Sequence, residues 1–351
     1  MHPLYRAITG PLVTRVTLIW SAFAIAGSAG LFAQAQSPPA RREGAGVPFV
    51  VPAWAFPLPS PLPPATRRPT GVDSVTLLHV PRSRAAFTAV QVRDLFGAPD
   101  WHPGEHPAMP GIVAHGRKPA VFACAFCHLP NGAGRPENAT LAGLPAAYIG
   151  QQIADMKSGA RRSAWHGPYG PSDLMRTIAG RVTAAEIAQA ASYFSHLQAR
   201  RRSRVVEANG IPRSIPSLGL YVPAPGGGHE RLGHRLIEVA VNPERHELRD
   251  TRAPYVTYVP PGSIARGRAL AMTAGRNGSK PCMSCHGPQL RGVGLVPPLA
   301  GRAPSYILRQ LLAFKTGTRS SPVSAPMRDV AATLGIDDMI AAAAYAGSRR
   351  P

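Results

Sequence analysis

Acidic residues are scarce in this chain. Its 351 residues include 39 Lys and Arg but only 18 Asp and Glu, which gives a formal net charge of +21 at pH 7. Almost all of the positive charge is arginine, spread along the chain without the basic blocks and interleaved aromatic residues that are typical of a nucleic-acid groove. We therefore expect no nucleic-acid partner. The excess of positive charge has two explanations. It favours docking to an acidic protein or an anionic membrane surface, or it simply keeps the protein soluble.

Cysteine is equally scarce. All four cysteines lie in two pentapeptides, CAFCH from Cys124 to His128 and CMSCH from Cys282 to His286. Four cysteines allow three disulfide pairings, but disulfides do not predict a histidine directly after each pair.

Only 16% of the residues are charged, while 35 Gly and 39 Pro indicate extensive loops. Little room is left for strands, and the length predicts two compact units plus tails.

The N-terminus predicts export. Two arginines precede the uncharged, apolar run from Val16 to Phe32, and the small residues Ala33 and Ala35 follow it as an A-x-A cleavage site. We expect residues 1–35 to be a signal peptide, with an uncleaved membrane anchor as the alternative because the run is long enough to span a bilayer. Either outcome leaves the body outside the cytoplasm, so the predicted location is the periplasm.

The chain contains an internal repeat. Sliding one pentapeptide onto the other gives an offset of 158 (282 minus 124), which holds as far as Arg161 and Arg319. From Met175 and Met327 onward the offset is 152 (327 minus 175). A shared offset over so many positions indicates a duplicated domain whose second copy has one shorter loop. The paired positions are Gly134 with Gly292, Leu141–Gly143 with Leu299–Gly301, Tyr148 with Tyr306, Gln152 with Gln310, Lys157 with Lys315, Gly159 with Gly317, Arg161 with Arg319, and Met175 with Met327.

Each copy has a helical pattern. Tyr148, Gln152 and Met156 recur at four-residue spacing, Gly159 lies where that helix would end, and the capping box Thr183-x-x-Glu186 begins a last helix near residue 184. Upstream, VTLLHV predicts a strand and RAAFTAVQVRDLF a short amphipathic helix. Between the copies, the runs LIEVAV and YVTYV predict a small β-hairpin.

The two pentapeptides are suited to holding haem. On a helix, cysteines at i and i+3 and a histidine at i+4 share one face. Cys124, Cys127, Cys282 and Cys285 would form covalent thioethers with haem vinyl groups, and His128 and His286 would each supply an axial nitrogen to the iron. A single zinc site shared by the four cysteines, or two redox dithiols, would leave both histidines unexplained.

A second axial ligand is needed if each iron is to be six-coordinate. Met175 and Met327 occupy equivalent positions after loops that contain Pro and Ser, so we expect them to ligate the first and second iron. In the first copy Met109 and a loop with His102, His106 and His115 compete for that role, and we expect these histidines to be solvated. Tyr148 and Tyr306 are either hydrogen-bond donors to haem propionates or ordinary core aromatics.

With these motifs the chain resembles class I cytochrome c in two tandem copies, and its arrangement is similar to bacterial periplasmic dihaem cytochromes. The resemblance covers about residues 111–198 and 263–348. It implies all-α domains around two covalently bound haem c groups, with His128 and Met175 on one iron and His286 and Met327 on the other. Two departures are notable: Leu129 replaces the glycine that follows CxxCH, and the first copy lacks room for an N-terminal helix between Gly116 and Cys124.

The resulting organisation has five parts. They are a signal peptide or anchor (1–35), a Pro-rich extended tether (36–75), a first cytochrome c domain (76–200), a connector (201–262) and a second cytochrome c domain (263–351). The resemblance implies an electron carrier that passes single electrons between periplasmic or membrane redox partners with acidic docking surfaces. The alternatives are a peroxidase-like dihaem enzyme with one open iron site and a cytochrome subunit of a larger dehydrogenase or oxidase complex.

Overall fold

The computed structural model describes residues 49–58, 73–165, 167, 171–273, 278 and 280–351. The predicted signal peptide lies outside the described residues, as does most of the predicted tether. Residues from Phe49 to Pro351 belong to one unit of the chain.

Twelve α-helices are present among the described residues. Their bounds are α1 (Ala89–Val92), α2 (Gly111–Ala114), α3 (Cys124–His128), α4 (Ala146–Ser158), α5 (Pro171–Ala179), α6 (Ala184–Ser195), α7 (Pro243–Glu247), α8 (Ser263–Met272), α9 (Met283–His286), α10 (Pro304–Lys315), α11 (Ala325–Thr333) and α12 (Ile336–Ser348).

The described residues also contain nine strands. Their bounds are β1 (Leu77–Leu78), β2 (Phe87–Thr88), β3 (Ser203–Glu207), β4 (Gly210–Pro212), β5 (Ser214–Ser217), β6 (Leu220–Pro223), β7 (His229–Arg231), β8 (Ile237–Ala240) and β9 (Tyr255–Val259).

In the first copy, α4 and α6 pack against each other and α5 packs on α4. Helix α4 ends where predicted, because Gly159 adopts a left-handed conformation with φ of 80° that a glycine tolerates without strain. The capping box that begins α6 is also confirmed: the Thr183 hydroxyl accepts from the Glu186 amide, and the Glu186 carboxylate accepts from the Thr183 amide. Their apolar faces enclose a core that includes Ile149, Phe194 and Leu197.

The second copy has a longer helical frame. Helices α8 and α12 cross at close range, and α10 packs against both α11 and α12. The crossing requires Gly267, since a Cβ at that position would lie 2.0 Å from the Ala341 carbonyl oxygen. In the first copy the one-turn helix α2 contacts α6 instead, because the residues before Cys124 are too few for a helix of the length of α8.

The connector folds as a sheet, and the all-α expectation is only partly correct. Strands β8 and β9 pair antiparallel, with Ile237 opposite Tyr258, as the hairpin prediction required. They are the centre of a five-stranded sheet in the order β3-β9-β8-β6-β5, and β3 joins β9 in parallel. Helices account for 40% and strands for 14% of the structure. The additional strands have only three to five residues, too few for a clear alternating pattern, and β3 pairs with the distant β9, so local periodicity does not reveal them.

Two N-terminal predictions change in detail. The VTLLHV segment contributes β1, which pairs antiparallel with β2. Phe87 is therefore in a strand, and the predicted amphipathic helix shrinks to the single turn α1, which begins at a Thr88 capping box. Within the predicted tether, the described residues 49–58 pack on the second copy and the connector: Ala55 and Phe56 are buried in the core with α10 and α12.

No single helix among the described residues is long and apolar enough to cross a membrane. One pair of helical segments passes the same test of length and composition when taken together, Pro322–Thr333 with Ile336–Ser348, and the two segments are bent by 119° relative to each other.

The helix crossing at Gly267 predicts a stability difference between two glycine replacements. Gly267→Ala would place a methyl group against backbone, and we expect the free energy of unfolding to fall by about 2 kcal/mol. Gly150→Ala, in the interior of α4 with nothing within 4 Å of the added methyl, should raise it by about 0.5 kcal/mol through helix propensity. Urea unfolding curves measure both, and equal stabilities would contradict this packing.

Candidate functional site

Both pentapeptides form a single helical turn. Helix α3 begins at Cys124 and ends at His128. Cys282 directly precedes α9 and already has helical dihedrals, with φ of −60° and ψ of −36°. The His286 amide donates to the Cys282 carbonyl over 2.9 Å, which closes the same turn. All four thiols are free, so each turn presents two sulfurs and one imidazole together.

Each imidazole is fixed by the same hydrogen bond. His128 Nδ1 lies 2.8 Å from the carbonyl oxygen of Ala139, and His286 Nδ1 lies 2.8 Å from that of Pro297. The carbonyl is eleven residues after the histidine in both copies. A ring held at Nδ1 keeps Nε2 available as a metal ligand. Burial lowers the pKa of both histidines, which favours the neutral, ligating form.

The residue that follows each turn has the same backbone conformation despite the sequence departure. Leu129 has φ of 64° and ψ of 152°, and Gly287 has φ of 73° and ψ of 175°. Positive φ costs a glycine nothing but strains a leucine. Leu129 is fully buried, so its packing in the first core offsets part of that cost.

The two predicted methionines lie on helices rather than in loops. Met175 is on α5 and Met327 is on α11, and both are half-buried. Met327 packs against the core that Cys282 also contacts. In the first copy, Met109 and Cys124 both pack against the core, and Met175 is not among the described side chains that do so.

The histidine loop is not solvated as predicted. His102 is buried, and its Nε2 lies 3.1 Å from Oδ1 of the fully buried Asp250 in the connector. His106 is half-buried between Asp100, at 3.2 Å from Nε2, and the Tyr193 hydroxyl, at 3.0 Å from Nδ1. The hydrogen bond to Asp100 outweighs burial and raises the pKa of His106. Only His115 is exposed as expected. The prediction is wrong for the other two because a partner of each, Asp250 for His102 and Tyr193 for His106, is distant in sequence.

A buried polar network joins the two copies. Gln152 Oε1 accepts from Arg161 at 2.9 Å and from Arg319 at 2.7 Å. Gln310 Oε1 accepts from the same two arginines, at 3.2 Å and 3.1 Å. Arg161 also donates to the Tyr306 hydroxyl at 2.9 Å. Because the arginines, the glutamines and the tyrosines are repeat equivalents, the network has a local two-fold arrangement.

This network contains more positive charge than its surroundings neutralise. Among the described residues, Arg161, Arg302 and Arg319 are buried and none of them forms an ion pair with a carboxylate. Burial lowers the pKa of Arg302 to about 10. Burial opposes ionisation of Tyr148, but the charges of Arg319 and Arg161 outweigh it and lower the pKa of that phenol. The cluster therefore suits anionic groups, such as the carboxylates that a haem carries.

The described residues do not form a shared zinc site. No three His, Cys, Asp or Glu side chains in that part of the chain converge in a way that could hold a metal ion. The two cysteine pairs remain in separate copies, each with its own histidine, as covalent haem attachment requires.

Comparison with known proteins agrees with this geometry. No protein-family model matches the chain. The "Thiosulfate dehydrogenase electron acceptor" of Stutzerimonas stutzeri (strain A1501) is 27% identical over 233 residues, which is 66% of this chain and 80% of the relative. Cytochrome c-554(547) of Halothiobacillus neapolitanus is 40% identical over 72 residues, which is 18% of this chain and 79% of the relative.

One solved structure, the thiosulfate dehydrogenase TsdBA from Marichromatium purpuratum, is 29% identical and aligns with a TM-score of 0.42. The alignment covers 67% of this chain but only 38% of that structure's chain, and a TM-score this low supports no conclusion.

Two helical turns that each combine paired thiols with an oriented imidazole define a haem-binding redox protein. The chain belongs to the cytochrome c family. Its function is electron transfer, as the sequence predicted, and haem is its cofactor.

Sequence reasoning missed two groups of residues. The repeat paired Gln152 with Gln310 and Arg161 with Arg319, but it did not indicate that they meet each other between the copies. The presence of Gln and Arg at equivalent positions of both copies was the available signal. The connector's Arg249, which stacks on Phe126 of the first pentapeptide, had no signal in the sequence.

The shared acceptor role of Gln152 predicts a cost for removing its side-chain amide. Gln152→Leu would remove the acceptor of one guanidinium nitrogen on each of two buried arginines, Arg161 and Arg319, and we expect the free energy of unfolding to fall by about 2 kcal/mol. Gln151→Leu removes a single hydrogen bond at an exposed neighbour and should cost less than about 1 kcal/mol. Urea unfolding of the two variants tests this, and a Gln152→Leu protein as stable as Gln151→Leu would refute the proposed network.

Proposed function

We propose that this chain is a dihaem c-type cytochrome that carries single electrons. The repeated hydrogen bond from each histidine Nδ1 to a backbone carbonyl is the observation that supports two equivalent sites. Cys124 and Cys127 would attach the first haem, and Cys282 and Cys285 the second. A bound haem c supplies reversible one-electron iron chemistry.

The protein's own residues would fix and tune that cofactor. His128 and His286 hold Nε2 in one orientation because Nδ1 is engaged with the backbone. Burial lowers the pKa of both imidazoles, which favours the neutral form that can ligate iron. The arginines between the copies would bind carboxylates that enter the interface. Their positive charge would favour the reduced state of a nearby haem.

For the second axial ligands we propose Met175 and Met327. Their equivalent repeat positions and their half-buried placement on α5 and α11 support this. Met109 is the competitor in the first copy because it packs against the same core as Cys124. A thioether ligand raises the reduction potential, which suits a carrier.

The electron donor is proposed from the similarity to the "Thiosulfate dehydrogenase electron acceptor". A dehydrogenase would pass electrons to this cytochrome, either as a free partner or within a stable complex. The N-terminal sequence supports export to the periplasm, where the electrons would continue to a terminal acceptor.

Haem content tests the two attachment sites. The chain, expressed with a cytochrome c maturation system and exported, should give two haems per chain in a pyridine haemochrome assay. Cys124→Ser/Cys127→Ser and Cys282→Ser/Cys285→Ser should each retain one, because the copies attach haem independently. No covalent haem in the unmodified protein would refute the proposal.

Methionine replacement tests the axial ligands. Met327→Leu and Met175→Leu should each abolish half of the charge-transfer band of methionine-ligated ferric haem and lower one potential, by on the order of 100 mV or more. Met272→Leu, at an exposed position, should change neither. If Met109→Leu rather than Met175→Leu removes the first signal, the assignment of Met175 is wrong.

A further inference from the structure

The connector covers the first pentapeptide. The Arg249 guanidinium carbon lies 3.5 Å from the centroid of the Phe126 ring, and Arg249 donates to the Phe126 carbonyl at 3.0 Å. The loop before it is anchored by Trp101, whose indole nitrogen donates to the Leu248 carbonyl at 2.6 Å. Phe126 is consequently buried. This side of the first copy is closed to a protein partner.

The loop after the first pentapeptide is closed by the same part of the connector. Arg135 Nε lies 2.7 Å from Glu137 Oε1, and both side chains are largely buried. His246 Nε2, on α7 of the connector, lies 3.7 Å from the same carboxylate oxygen. Charged side chains at these two positions are therefore part of an internal contact.

The equivalent side of the second copy is open and apolar. At the offset of 158, Phe126 corresponds to Ser284, which is exposed. Arg135 and Glu137 correspond to Val293 and Leu295, which are 57% and 66% exposed. A Cβ at Gly287, at the end of α9, would lie 2.6 Å from Val293 Cγ2, so this loop lies directly beside the CxxCH turn. We call Ser284, Arg291, Val293 and Leu295 the open face.

The sequence stretch that contains the open face carries charge of one sign. No Asp or Glu occurs from Thr251 to Arg328, and Lys280 and Arg291, which precede the apolar positions, are exposed. Adjacent exposed apolar residues within a basic surface are typical of a site for a protein partner with an acidic rim. The first copy has neither feature, since its corresponding residues are charged and covered.

We propose that the open face of the second copy is the docking surface for an acidic redox protein, and that the first copy exchanges electrons with such partners through the second. The inference rests on the proposed dihaem function. One electron would leave the reduced partner, which is oxidised, and would convert ferric to ferrous iron in the second copy, with no atom transferred.

Reduced flavodoxin, a small acidic one-electron donor, is a suitable probe. In stopped-flow mixing with the full-length holoprotein, Leu295→Glu and Arg291→Glu should each lower the second-order rate constant by about tenfold, because they place negative charge against an acidic partner. Added salt should slow the unmodified protein more than either variant. Haem content and both reduction potentials should stay unchanged.

Matched controls lie on the connector. Val241→Glu and Leu218→Glu introduce the same charge at positions that are 53% and 61% exposed, and Arg231→Glu matches the arginine replacement. These variants should keep the rate constant within about twofold. Equal slowing by control and open-face variants would overturn the proposal, as would no slowing by either open-face variant.

Two further measurements separate other outcomes. If sedimentation shows a dimer that Leu295→Glu converts to a monomer, the open face binds a second copy of this chain and the proposal is overturned. If anionic vesicles bind the unmodified protein and Leu295→Glu abolishes that binding without slowing reduction by flavodoxin, the face binds membrane and the proposal is again overturned. Absence of haem from the unmodified protein would instead refute the dihaem function itself.

Discussion

The junction between the two copies depends on two glutamine side chains that each accept from two buried arginines. Gln152 and Gln310 bind both Arg161 and Arg319, and two backbone hydrogen bonds flank them, from Arg162 to Thr318 and from Ser320 to Ala160. Burying two guanidinium groups side by side is costly unless every donor is satisfied. The network therefore allows one relative placement of the copies, and that placement brings their tyrosines and Arg302 to the same interface.

Duplication has produced two copies with the same geometry at their pentapeptides and different surfaces. The Nδ1 hydrogen bond of each pentapeptide histidine is identical in length, and even Leu129 reproduces the positive φ of Gly287. The difference lies in what covers them. The connector closes the first pentapeptide through Arg249 and α7, whereas the second remains beside an exposed loop. In an electron carrier with one closed and one open copy, partners reach only the open copy. Two equally exposed copies would both be accessible.

Local sequence signals predicted the features that depend on neighbouring residues. The CxxCH spacing, the Thr183 capping box and the Gly159 helix end each involve contacts within a few positions, and each is present as predicted. The connector sheet was underestimated because β3 pairs with β9 about fifty residues later, a contact that periodicity does not report. His102 was misjudged for the same reason, since its partner Asp250 is 148 residues away. The helical turn of each pentapeptide was more predictable than its surroundings because it lies within five consecutive residues.

The central claim is that each copy holds one six-coordinate haem. Electron paramagnetic resonance of the fully oxidised protein tests it most directly, because histidine and methionine together produce low-spin ferric iron. We expect two low-spin signals of equal intensity that integrate to two irons per chain. A high-spin signal that accounts for one iron would contradict the claim, since it would show an open coordination position in one copy.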